Sequence, residues 1–481
     1  MRFPKKFFEG EEREGFYVEP MMKRAWASQI EILSEIDLVC KKYGIKYFAF
    51  WGSLLGTVRH AGFVPWDDDL DIIMLREDYD KFFEVAQGEL PEDYKVISIY
   101  SEPEWCVGVG RVTNGNGIIL MPDKLSKYHG CPYSMGIDIF PYDYIPDNEE
   151  ALKEQTEILE FIKGTKGEVS DNIIYEGEKE KFIITKSIDC KLKELEQTFG
   201  FQFNREVHLV NQLCCLYDQV YVMYGDTNSK YVTCYEEKLK RQAHGKDFKL
   251  PAYWLKDVTY LPFEGFEIPV PKYYEACLSV CYGQKFMIPI KAGISGHDYP
   301  IYKDQNIFME ERKLTGLYEK SMKFYIEEYS GNEYVEPLKV FLKQDIVGTE
   351  NSNTLESEIY EKKCFLYCVS CVDVYGYEEA FVNKVCNTLE KLMSLLDQET
   401  LIFSYDPLVL DLLADYNCKL SEKLLSAVKQ YEDNGYQVTD YSEVPYIINR
   451  VKGYYGSCGE NTKRCTLNKV PVMIQNLSIN E

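Results

Sequence analysis

Hydrophobic and polar positions alternate along the first 145 residues in a way that predicts a mixed α/β unit. Ile30, Leu33, Ile36, Leu38 and Val39 fall at roughly helical spacing within residues 20–43, and Gly44 closes that helix. The apolar run "IKYFAFW" predicts a buried strand, which Gly52-Ser53 interrupts. "SLLGTVRH" predicts a short helix with Ser53 as its N-cap. "GFVPW" reads as a turn, and "LDIIML" as a strand with Leu70, Ile72 and Met74 on its core face. "REDYDKFFEVAQGEL" is helical. "YKVISIY", "VGVGRVTN" and "GIILM" predict short strands, and "GIDIFPYDYIP" one more, stopped by Pro141.

Farther along, the pattern changes twice. Residues 150–250 are charged and mostly helical, as an insertion or helical subdomain would be. Residues 251–300 are rich in Pro, Gly and Tyr, with one short helix near "YYEACLSVCYG". The charged stretch 303–345 reads as a linker helix. After Glu361 strands and helices alternate, through "CFLYCVSC", "YEEAFVNKVCNTLEKLMSLL", "TLIFSYDP", a further helix, "YQVTDYS" and "VPVMIQN". This predicts a separate Rossmann-like α/β module. The expected organisation is a catalytic domain over 1–315 with its helical insertion at about 150–250, a linker over 316–360, and an accessory module over 361–481.

Composition narrows the function classes. A chain of 481 residues with 45% hydrophobic and 27% charged residues can build ordinary cores. Its net charge of -24 argues against a nucleic-acid partner, which needs Lys and Arg to displace phosphate counterions. The N-terminus lacks the apolar segment of a signal peptide, and no long apolar run is present. A cytoplasmic protein with no transmembrane segment is expected, any membrane association being peripheral, at the inner face. The 16 cysteines should then stay reduced. Cys368 and Cys371 form a C-x-x-C with no second pair at zinc spacing, so they read as buried structural thiols.

The segment "FWGSLLGTVRHAGFVPWDDDLDIIML" carries the candidate chemistry. Asp67, Asp68, Asp69 and Asp71 crowd into five residues. On a strand Asp69 and Asp71 share a face, and two close carboxylates raise each other's pKa unless a cation sits between them. Mg²⁺ suits such a site, with Mn²⁺ as a substitute, because it takes carboxylates together with substrate phosphates. A solvated acidic turn is the plain alternative, but two neighbours disfavour it. Gly52-Ser53 is a small-residue turn at a helix start, able to offer N–H groups and a hydroxyl to phosphate. Asp138 in "GIDIF" is a third carboxylate on an apolar strand. Strand, Gly-Ser, helix, Asp-x-Asp and a later lone Asp form the nucleotidyltransferase-fold arrangement.

These residues resemble the LicD family of phosphotransferases, which includes the fukutin-type proteins. "GSLLGTVRHAGFVPWDDDLDIIMLREDY" is similar to the family's first block, "GIDIFPYD" to its second, and "YGQKFMIP" followed by His297 to a looser third, over roughly residues 20–300. The resemblance implies transfer of a phospho-alcohol, typically phosphocholine from CDP-choline, onto a hydroxyl of a cell-surface glycan, teichoic acid or lipopolysaccharide precursor. Asp69, Asp71 and Asp138 carry over as the metal carboxylates, with Asp138 also the candidate base. Gly52 and Ser53 carry over as the phosphate-cradling turn. Arg59, Arg111 and His297 are further candidates for substrate contact, each set against an ordinary surface or loop role. Trp51, Trp66, Trp105, Tyr133 and Tyr142 could cage a choline headgroup, though aromatics are more often core. The stretch "GYYGSCGENTKRCTLNKVPVMIQN" resembles the end of a CDP-glycerol glycerophosphotransferase-like or glycosyltransferase-like half-domain, with Ser457 where such segments carry Asp. Two other readings stay open: a nucleotidyltransferase that leaves NMP on its acceptor, and a binding protein that has kept the fold without activity.

Overall fold

The structure is a computed structural model that describes residues 2–115, 117–119, 121–176, 179–242, 247–289, 324–326, 338, 341–342 and 364–477. The chain divides into two compact units, Met1–Glu11 with Tyr17–Lys272, and Glu12–Phe16 with Tyr273–Glu481. The division at Lys272 falls well before residue 315, because the helix Tyr274–Tyr282 goes with the C-terminal unit: its Ser279 hydroxyl donates to the Val372 carbonyl at 2.7 Å. Most of the expected linker, and His297, lie outside the described residues.

The N-terminal unit is built on a seven-stranded mixed sheet. Its centre is the strand Gly136–Tyr144, which pairs in parallel with Asp71–Leu75 along one edge. On the other edge it pairs with Gly110–Thr113 near its start and with Tyr231–Thr233 near its end. Phe48–Ala49 lies antiparallel on the far side of Asp71–Leu75. Pro141 does not end the central strand. It falls between the two antiparallel partners on that edge, where a missing N–H breaks no ladder bond. Ile73 is as buried as Leu70, Ile72 and Met74, so the aspartate strand is covered on both faces rather than one. That is the state of an interior strand in a sheet with packed layers on both sides.

The helix Pro20–Tyr43 ends at Gly44, whose φ of 64° is the left-handed cap the sequence leads one to expect. Two expected strands are shorter than their apolar runs: "IKYFAFW" pairs only at Phe48–Ala49, and "YKVISIY" only at Lys95–Ile97. In "GIILM", Ile118 makes a single bridge to Tyr133. The charged region forms the helices Glu149–Ser170, Lys186–Phe199 and Leu209–Tyr224, which bury Leu159, Ile162, Leu192, Leu195, Leu213 and Val220 in a core of their own. Among the described residues no helix is long and apolar enough to cross a membrane.

The C-terminal unit holds a six-stranded, wholly parallel sheet. Its order is Gln437–Val438, Leu401–Tyr405, Cys364–Val369, Val451–Gly456, Val472–Ile474, Phe324–Ile326. The strand Phe324–Ile326 lies where a linker helix was expected; a three-residue edge strand leaves no periodicity to read. The order runs outward in opposite directions from Cys364–Val369 and Val451–Gly456, which makes the gap between their carboxyl ends a topological switch point.

A candidate phosphoryl-transfer site

The strands bring the predicted carboxylates into one transverse row. Asp71 and Asp138 are direct partners across the parallel pair, and Arg111 is the direct partner of Asp138 on the other side. Directly paired residues present their side chains on one face. Arg111 uses that placement for a fork: Nε donates to Asp138 Oδ1 at 2.5 Å and Nη2 to Oδ2 at 2.8 Å. Its guanidinium also lies 5.2 Å from the Trp105 ring centroid. The ion pair fixes the plane of the Asp138 carboxylate, a relation that linear spacing between residues 111 and 138 does not disclose.

The Gly52-Ser53 turn sits against this row, but not as an N-cap. The helix runs Trp51–His60, so Ser53 lies inside its first turn. Its Oγ accepts the Asp71 backbone N–H at 2.7 Å and so latches the helix start to the aspartate strand. Trp51 takes a φ of 48°, in the left-handed region that bulky residues rarely occupy. Its ring stacks on Phe248 at 5.5 Å and meets Phe50 edge-on at 5.3 Å, and these contacts hold the turn. Gly52 is a matter of space: a Cβ there would lie 2.5 Å from Asp67 Oδ2. At Gly56 a Cβ would collide with the Gly62 carbonyl and lie 2.8 Å from the Val64 nitrogen, both backbone. Gly56→Ala is therefore expected to destabilise the protein by roughly 1–3 kcal/mol, the usual range for overpacking. Chemical denaturation checks this; an unchanged midpoint would show that the 61–64 loop can yield.

The acidic loop is held from behind by the long N-terminal helix. Trp26 Nε1 donates to the Asp67 carbonyl at 3.0 Å, and the Gln29 amide donates to that of Asp68. Asp67, Asp68 and Asp69 each bring a carboxylate oxygen within 4.8 Å of the others. Sequence reading left Asp67 and Asp68 without a role. The signal that could have assigned Asp67 one is Gly52, a small residue needed to admit its carboxylate.

Electrostatics follow from this crowding. Burial, then the Asp69, Asp138 and Asp67 carboxylates, push Asp71 well above the ordinary aspartate range, and Arg111 only partly opposes them. Burial, then Asp69, likewise push Asp67 well up. The donor set is all oxygen, like-charged and poorly solvated, which is what a hard divalent cation takes. Arg59 is 4% exposed, donates from Nε to His60 Nε2 at 2.9 Å, and lies 5.8 Å from the Trp66 ring centroid, just ahead of the aspartates. Of the aromatic candidates, Tyr142 is fully buried and belongs to the core. Sequence reading also missed Arg76, which joins Asp143 and Asp218 at the opposite end of the same strands, beyond this site.

The same segment is similar in sequence to known proteins. Residues 44–107 match the family described as LicD/FKTN/FKRP, nucleotidyltransferase domain. The chain is 31% identical over 123 residues to the lipopolysaccharide cholinephosphotransferase LicD of Haemophilus influenzae, covering 26% of this chain and 44% of that protein. It is 43% identical over 51 residues to uncharacterized proteins of Rickettsia prowazekii and Rickettsia typhi, covering 11% of this chain and 19% and 16% of theirs. It thus spans less than half the length of these curated relatives. The likeness to the LicD/FKTN/FKRP nucleotidyltransferase domain thus falls on the segment that builds the Gly-Ser turn and the aspartate strand.

Proposed function

We propose that the protein is a LicD-type phosphotransferase that moves a phospho-alcohol from a CDP-alcohol to a hydroxyl of a cell-surface glycan, teichoic acid or lipopolysaccharide precursor. The observation that carries this reading is the row Arg111, Asp138, Asp71 with the Gly52-Ser53 turn locked against it. Choline is the first alcohol to test, since the relative from Haemophilus influenzae is named a cholinephosphotransferase.

In this reading the acceptor hydroxyl gives its proton to an Asp138 oxygen as its own oxygen attacks the phosphorus that bears the alcohol. The bond from that phosphorus to the bridging oxygen breaks, and CMP leaves with the electron pair. Arg111 orients the Asp138 carboxylate throughout. The helix start after Trp51 offers backbone N–H groups near Gly52 to a phosphate oxygen. Mg²⁺ or Mn²⁺ held among Asp69, Asp71 and Asp138 would neutralise the diphosphate and the leaving CMP. Trp66 and Arg59, stacked beside the acidic loop, are in position to line the substrate entrance. In this reading the reaction runs in the cytoplasm, where thiols stay reduced.

Thermal-shift titration with CDP-choline, CDP-glycerol, CDP-ribitol and CDP-ethanolamine, each with Mg²⁺, tests the donor class, because a ligand of the native state raises the midpoint. One CDP-alcohol should stand out, and the mass of the product should then show a phospho-alcohol on the acceptor. Attachment of CMP instead would identify a nucleotidyltransferase. Arg111→Lys should lower turnover about tenfold or more, because an ammonium cannot supply the two-point fork. Unchanged turnover in that variant would mean that the Asp138 carboxylate does not need orienting.

A further inference from the structure

We propose that the C-terminal unit binds a divalent cation of the zinc class between Glu275, Cys371 and Asp406. These residues come from three places in the chain. Glu275 is in the first turn of the helix Tyr274–Tyr282, Cys371 follows the strand Cys364–Val369, and Asp406 follows the adjacent strand Leu401–Tyr405. One carboxylate oxygen of each acid and the Cys371 sulfur all lie within 4.8 Å of one another, and all three residues are buried. The cluster stands at the carboxyl ends of parallel strands beside the switch point, where α/β sheets take ligands.

The surroundings prepare the group for an ion rather than for a counter-charge. The Glu460 backbone N–H donates to Glu275 Oε1 at 2.6 Å, and Gly459 makes room, since a Cβ there would lie 2.6 Å from the same oxygen. Asp406 Oδ1 accepts the Leu408 N–H at 3.0 Å. One oxygen of each carboxylate is thus anchored, as outer partners anchor metal ligands. Burial pushes the Glu275 carboxyl up, the Glu460 backbone N–H opposes it, and the Asp406 and Glu460 carboxylates add to the push. Independently, Ser370 is 2% exposed, and its hydroxyl faces Glu275 without closing a well-formed hydrogen bond. A tetrahedral ion with three protein ligands has one further position, and the Ser370 side is where it would lie. Mixed carboxylate and thiolate ligands favour zinc over magnesium, so this ion differs in kind from one at the N-terminal aspartates. The C-x-x-C spacing is misleading here: Cys371 finds its partners in Glu275 and Asp406, not in Cys368.

The test uses the full chain, stripped with chelator and titrated with Co²⁺ alone. One equivalent should bind with thiolate-to-cobalt charge-transfer absorption. Cys371→Ser should abolish that absorption. Asp406→Asn should weaken binding at least tenfold while its amide oxygen still caps the Leu408 N–H. Asp71→Asn should leave the absorption intact, which separates this site from the proposed N-terminal one. Zn²⁺ should raise the thermal midpoint of wild type and not that of Cys371→Ser. Absence of the absorption in wild type, or its survival in Cys371→Ser, would overturn the proposal. Should Cys371→Ser not fold, Asp406→Asn decides: undiminished affinity there overturns it equally.

Discussion

Asp71→Asn is expected to lower turnover by two to three orders of magnitude and, at neutral pH, to raise the thermal midpoint of the metal-free protein. Both effects come from the same crowding. Asp71 feels burial first, then Asp69, Asp138 and Asp67, and its carboxyl is pushed well up. A group whose folded pKa lies above its unfolded value contributes stability that is fully present below the unfolded pKa, near 4. That contribution is lost as pH rises through the folded pKa. At pH 7 without a cation the pair is therefore a liability, and the neutral amide relieves it. On the proposed function turnover should fall because the amide cannot hold a divalent cation as a carboxylate does. Loss of about 3–4 kcal/mol of metal charge stabilisation corresponds to two to three orders of magnitude, at about 1.4 kcal/mol for each tenfold. Asp69→Asn should behave alike, and chelator should mimic both in wild type, with Mg²⁺ or Mn²⁺ restoring activity. Midpoints measured from pH 5 to pH 8 without metal, beside initial rates with it, check the pairing. Near-wild-type turnover in either variant would remove these aspartates from the reaction.

Arg76→Met is expected to destabilise the N-terminal unit by about 3–5 kcal/mol, the cost of leaving buried charges without their partner. Arg76 opens the helix Arg76–Glu89 directly after the aspartate strand. It donates from Nε to Asp143 at 2.6 Å and from Nη2 to Asp218 at 2.9 Å. Asp143 lies at the end of the central strand and Asp218 on the helix Leu209–Tyr224, so this one side chain ties the helical subdomain to the sheet. Tyr100 adds a hydroxyl to Asp218 at 2.8 Å. Burial already pushes Asp143 up, with Arg76 as the main opposing influence. Removing Arg76 should push it further, so the deficit of the variant should shrink as pH falls and Asp143 protonates. Adding Asp143→Asn and Asp218→Asn should recover part of the loss, since replacing a whole buried ionic group costs less than breaking it. Denaturation curves for the single and triple variants decide this. A single variant as stable as wild type would show that the buried ion pairs contribute nothing to stability.

Much of the candidate site is legible because its signals are local. Asp69, Asp71, Gly52 and Ser53 lie within 20 residues, in a segment whose composition is too specific to arise from packing alone. Asp138 was legible because a lone carboxylate inside an apolar strand is costly and asks for a reason. The helix Pro20–Tyr43, the helical region after residue 149 and the strand–helix alternation after 361 follow from periodicity and caps, which are also local.

What required the tertiary structure is everything set by pairing. The register that puts Asp71 beside Asp138 and Arg111 across from it depends on which strands meet, and chain spacing carries no such term. Ser53 reads as a cap by its neighbours, but the helix begins two residues earlier and its hydroxyl serves the strand instead. Pro141 reads as a stop, yet a gap between partner strands tolerates it. Arg76 reads as one more surface arginine until two carboxylates from distant elements close on it. Glu275, Cys371 and Asp406 span more than a hundred residues and share no motif; only the convergence of two parallel strand ends and one helix makes them a group. Local preference is written in short segments, whereas contacts between segments are decided by the burial of whole surfaces, and the sequence alone leaves those contacts open.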